Sequence, residues 1–118
     1  MAKPSKCISV AEARALQSNW TATRAADIQK VQGINDTRDF TFSVNDLQEF
    51  LDYVQQESSK QGIANPGIRI YFGAYGEASG GKATVFLAAT DGTDGDSGNN
   101  YDIDPLNTIT GGIPPNIY

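Results

Sequence analysis

The chain reads as an α+β protein in which two helices lie on one face of a small, mainly antiparallel sheet, in the order α-β-α-β-β, with an ordered but irregular C-terminal tail. Three stretches predict it. Gly67 to Asp91, GIRIYFGAYGEASGGKATVFLAATD, holds two β-rich runs around a glycine-rich turn and has the densest β-branched and aromatic content. Val44, Leu47, Phe50, Leu51 and Val54 recur at helical spacing. Ser9 and Glu12 have the spacing of a capping box ahead of another apolar stripe. A chain of 118 residues is expected to form one domain, hiding roughly two thirds of its unfolded surface without help from disulfides or metal.

In chain order, Ile8 serves as a hydrophobic staple before the Ser9 cap, and Val10, Ala13, Leu16 and Trp20 predict a first amphipathic helix from Val10 to about Arg24, with Trp20 as its main anchor. Ile28 and Val31 can extend it, and a loop follows Gln32, since Gly33 and Asn35-Asp36-Thr37 read as terminator and turn. Asp39 to Phe42 alternates polar and apolar and is expected as a short strand burying Phe40 and Phe42. Ser43 then caps the second helix. Its five apolar residues fall within a stripe of about 120°, and Gly62 stops it. Glu49 and Asp52 belong to the opposite, solvated face, which explains paired carboxylates without a catalytic role.

In the hairpin, Ile68, Ile70 and Phe72 alternate with Arg69 and Tyr71, and Ala83, Val85, Leu87 and Ala89 alternate with Thr84, Phe86 and Ala88. The first set is expected to face the core. The second leaves Arg69, Tyr71 and Phe86 for a partner, or for the C-terminal tail to cover. The turn between the strands has four glycines but lacks the Lys-Ser/Thr ending of a phosphate loop, and reads as a floppy tip. Pro105 to Tyr118 is too rich in proline and glycine for a helix and too apolar for a free tail. It is expected to pack down, adding Ile113, Ile117 and Tyr118 to the contact surface.

Asp91 to Asp104, DGTDGDSGNNYDID, invites a calcium reading through Asp91, Asp94, Asp96, Asn99 and Asp102. An EF-hand loop needs acidic or amide ligands at positions 1, 3 and 5 and glycine at 6. A frame from Asp91 puts Gly95 at 5 and Asp96 at 6; one from Asp94 puts Gly98 at 5 and Asn99 at 6. Neither fits. A solvated, turn-rich loop is the simpler reading.

The absence of histidine removes Ser-His-Asp and Cys-His catalysis and the commonest zinc sites. A single cysteine, Cys7, permits no internal disulfide and no redox pair. What remains for an enzyme is carboxylate, Tyr, Lys and Arg chemistry, and Arg69, Tyr71 and Glu77 have no recognisable spacing. The net charge is -5, and from Ile63 onward only Arg69 and Lys82 stand against six acidic residues. Such a balance disfavours nucleic acid, whose affinity comes mainly from Lys and Arg. Met1 to Lys6 is polar, and no apolar run approaches a membrane span. A cytoplasmic protein with no membrane partner is expected.

Ile8 to Ala13, Phe40 to Val54, Gly67 to Phe72, Thr84 to Asp91 and Asn99 to Ile103 carry a resemblance. Together they resemble a group of short, uncharacterised proteins from Bacteroidota that share an Ile-Ser-x-x-Glu-Ala helix opening, an aromatic strand before a helix, a Gly-Ile-Arg-Ile-Tyr-Phe strand, a second strand ending near an Asp, and a late Asn-Asn-Tyr-Asp-Ile segment. The resemblance implies a bacterial, intracellular origin and a coherent fold, and it assigns no residue a role. The expected function is a non-catalytic protein interaction or self-assembly module, using Arg69, Tyr71, Phe86 and the tail. The alternative is a small-ligand or calcium-binding protein using the acidic loop.

Overall fold

Ser9 caps the first helix as its spacing requires: the Ser9 hydroxyl accepts from the Glu12 amide at 3.0 Å and the Glu12 carboxylate accepts from the Ser9 amide at 2.9 Å. The computed structural model describes residues 1–107 and 117–118. Helix α1 (Val10–Trp20) runs through a π-helical turn (Thr21–Ala25) into α2 (Ala26–Gln32), with right-handed helical backbone at both junctions. The three form one helical body, so Ile28 and Val31 do extend it. The π turn has a local cause. The Thr21 and Thr23 hydroxyls donate back to the carbonyls of Gln17 and Asn19, at 3.1 and 2.6 Å, competing with the regular ladder. Gly33, at φ +72, ends the body in the left-handed conformation glycine tolerates.

The connector from Gly33 to Ser43 does not form the expected strand at 39–42; it has a single bridge residue, Phe40. Side chains tether the connector to the hairpin. The Asp36 carboxylate accepts the Ala83 amide at 2.7 Å and the Thr37 amide at 2.9 Å, and Lys82 donates to the Asn35 carbonyl at 3.1 Å. The amide at the start of the second hairpin strand is thus taken by a carboxylate, where a backbone neighbour would have made a ladder.

Helix α3 (Val44–Lys60) is capped by Ser43, whose hydroxyl accepts the Asp46 amide at 2.9 Å. It packs on a three-stranded antiparallel sheet ordered β1 (Gly67–Ala74), β2 (Ala83–Thr90), β3 (Leu106–Asn107), with β2 central. The β1–β2 register pairs Ile68 with Ala89, Ile70 with Leu87 and Phe72 with Val85, placing all six on one face. Phe50 and Val54 of α3 meet Leu87 and Ala89 there, together with Ile103 from the segment before β3, and Phe42, Leu47, Ile68 and Leu106 close around them. Trp20 meets the other end of that face by stacking on Phe72, ring centroids 6.3 Å apart and planes within 10°.

The predicted stripe and strand alternation hold, but burial along them does not. Val44 and Leu51 of α3 remain exposed, and so do Ile70 (63%) and Phe72 (79%) of β1. Helix α3 covers the end of the sheet holding Ile68, Leu87 and Ala89. Above the far end Trp20 stacks on Phe72 and is itself partly exposed, and no residue of α1, the π turn or α2 is buried. The turn between β1 and β2 holds a 3-10 turn over Glu77–Ser79, closed by Gly80 and Gly81 at positive φ. Of the expected packed tail, Leu106 and Asn107 join the sheet. Ile113 lies outside the described residues, and Ile117 and Tyr118 are exposed. Among the described residues, no helix is long and apolar enough to cross a membrane.

Candidate functional site

The face of β1 that carries Arg69 and Tyr71 is closed by the chain itself. After Thr90 the backbone curls away and returns alongside β2, with Asp91 donating to the Gly98 carbonyl at 3.0 Å and Asn100 to the Ala89 carbonyl at 2.9 Å. Arg69 latches this loop. Its guanidinium donates to Asn99 Oδ1 at 2.7 Å and to the carbonyls of Ser97 at 2.8 Å and Gly95 at 3.1 Å. Asn99 passes the connection on, its Nδ2 donating to the Tyr71 hydroxyl at 2.7 Å, and Tyr71 stacks on Phe86 at 5.1 Å. Arg69, Tyr71 and Phe86 are therefore half-buried, and the two polar ones are bonded within the chain.

The Asn99 amide at the Tyr71 oxygen holds that phenol below its ordinary value near 10, helped by the nearby Arg69 guanidinium and opposed by desolvation. A donor and a cation favour the phenolate. An ultraviolet titration of the tyrosines should contain a component below pH 10 that disappears in Tyr71→Phe and moves up in Asn99→Leu. The sign of the linkage follows: a depressed acid stabilises the fold above its unfolded pKa, so this contribution appears in alkali and is lost as pH falls through the folded midpoint. An unaltered titration in Tyr71→Phe would remove the assignment.

The carboxylates of the acidic loop do not gather into a group of three. Asp91, Asp94, Asp96 and Asp102 are exposed, and among the described residues no three His, Cys, Asp or Glu side chains converge to hold a metal ion. Asn99 turns its carbonyl oxygen to Arg69 and its amide to Tyr71. The guanidinium thus engages three of the loop's oxygens that a cation would compete for, a contact between positions 26 to 30 residues apart that no spacing in the sequence announces.

The edge of β1 has the opposite character. Tyr75 donates to the Lys82 carbonyl at 3.0 Å, making Tyr75 and Lys82 a hydrogen-bonded pair. Such pairs alternate along an antiparallel ladder. Gly67, Arg69, Tyr71 and Gly73 therefore bond to β2, while the amides and carbonyls of Ile68, Ile70, Phe72 and Ala74 point away from it. No other described strand lies beyond β1. Among the described residues those outward groups make no hydrogen bond, and beside them stand the uncovered side chains of Ile70 and Phe72. The sequence carried half of this signal. Its alternation placed Ile70 and Phe72 on the helix-facing side, but the limited reach of α3 was not written in it.

Compared with known proteins, the chain matches no family model, no curated protein and no solved structure.

Proposed function

We propose that the protein is a non-catalytic self-assembly module that pairs through β1, its contact surface being this strand edge with Ile70 and Phe72 rather than the latched face of Arg69, Tyr71 and Phe86. The observation that carries the reading is the edge of an eight-residue strand whose outward amides and carbonyls are unpaired among the described residues. Natural sheets protect such edges with lysine, proline or a bulge. Here GIRIYFGA has none of these, and its only charge, Arg69, is engaged inside the chain.

A second copy is the partner that the strand fits. An antiparallel copy centred on Tyr71 sets Ile70 opposite Phe72 and Ile68 opposite Ala74, the residues whose backbone groups point outward. Four such pairs make about eight hydrogen bonds and join two sheets into one. Arg69 then faces Gly73 of the second copy, so no like charges meet. The exposed Ile70 and Phe72 side chains of two copies hide on the order of 500 Å2, which with the backbone edge approaches the roughly 1,000 Å2 of a small specific interface. A weak, concentration-dependent dimer is expected, in a cytoplasmic setting where the exposed Cys7 stays reduced.

Light scattering across a dilution series tests this. The natural chain should approach twice its monomer mass in the high micromolar range. Ile70→Lys, placed at an exposed position, should weaken association about tenfold or more while leaving the melting temperature unchanged. A strict monomer at every concentration sinks the self-assembly reading.

A further inference from the structure

From observations independent of the β1 edge, we infer that the groove between the N-terminal helical body and the end of the hairpin binds a small apolar molecule bearing one carboxylate. Leu16, Trp20, Ile28, Phe40 and Phe72 line a space of about 600 Å3 there, and Arg38 stands in its wall. That volume lies in the range of small-molecule sites, which are mostly apolar with a few polar groups that fix orientation.

The charge in the wall identifies the ligand's head group. Arg38 Nε is buried and has no hydrogen-bond partner, and no carboxylate pairs with the guanidinium among the described residues. With Nε closed off, the rest of the guanidinium is what a ligand in the groove meets, and a carboxylate there gains a charge-assisted bond to it. Asp36 also lines the groove, but its Oδ1 is already committed to the amides of Thr37 and Ala83. The apolar walls fit an aliphatic or aromatic tail, and the guanidinium fits one anionic end. A neutral hydroxyl can accept from the guanidinium only without the opposite charge, and a cationic head is repelled by it.

Trp20 is the only tryptophan in the chain and lines the groove, so its fluorescence reports occupancy directly. The probes are decanoate, held below its micelle concentration, and decanol. Decanoate should shift Trp20 emission saturably, and decanol should bind about tenfold more weakly or worse. Arg38→Gln should bring decanoate down to the level of decanol without changing decanol itself. Leu16→Glu, at a position 63% exposed and therefore tolerant of the change, should weaken decanoate about tenfold by setting a carboxylate beside the ligand. Equal affinity for acid and alcohol in the natural chain overturns the inference, as does binding that Leu16→Glu leaves intact or a Trp20 emission that does not respond. Ile70→Lys should retain decanoate binding, so loss of self-association and loss of the ligand site are read separately.

Discussion

Arg69→Met should lower the stability of the fold by about 3 kcal/mol, because one side chain holds three bonds to the loop that covers its face of the sheet. Hydrogen bonds involving a charged group contribute roughly 1.5–3 kcal/mol each, and three made by one guanidinium are not additive. Methionine keeps much of the apolar stem, so the loss reports the head group. For a chain of this size the melting temperature should fall by on the order of 10 °C. The effect should also be local. The Asp91 and Asn100 amides, bonded to Gly98 and Ala89, should lose hydrogen-exchange protection, since the loop they close no longer has its latch. Arg69→Lys should restore less than half of the stability, as an ammonium cannot span three acceptors with the geometry of a planar fork. Unchanged protection at Asp91 and Asn100 in Arg69→Met would mean that the loop is held by something else.

This residue also marks how far the sequence could be read. Its position on a β-strand, opposite the core face, followed from alternation alone. That it reaches Gly95, Ser97 and Asn99 did not, because those contacts depend on the path of a loop rich in glycine and aspartate, and composition fixes neither its curl nor its return beside β2. The same loop looked like a cation site by residue type. Ligand identity is a local property, whereas convergence is a tertiary one, and here the loop's oxygens converge on a guanidinium from another strand.

The N-terminal half divides in a similar way. The capping box at Ser9 and Glu12 and the Ser43 cap are contacts between near neighbours, and they form as spaced. At 39–42, where a strand was expected, Phe40 is a single bridge residue, a distinction that local alternation cannot draw. Beside it, Asp36 takes the Ala83 amide through its side chain, and the connector becomes one wall of a groove. Arg38 drew no attention in the sequence, where a lone arginine in a polar run is normally a solvated charge. Its place among apolar walls, with no carboxylate paired to it among the described residues, gives it meaning.

The sharpest comparison lies within a single face of the sheet. Leu87→Ala should cost about 3 kcal/mol, the usual loss for emptying a buried leucine site between Phe50, Val54 and Ile103. Phe72→Ala, the removal of a larger side chain from the same face, should cost less than about 1 kcal/mol, because Phe72 is 79% exposed and its main contact is the stack on Trp20. A uniformly buried face, which the alternation alone suggests, would give the reverse order, with phenylalanine the costlier loss. Chemical denaturation of the two variants below the association range decides between them. The contrast has a functional consequence. A large aromatic that contributes little to folding, placed beside an unbonded strand edge and an apolar groove, is available for contacts made outside its own core. Phe72→Ala should therefore weaken both dimer formation and decanoate binding while Leu87→Ala lowers stability, and a Phe72 variant as destabilised as Leu87→Ala would return this residue to the core.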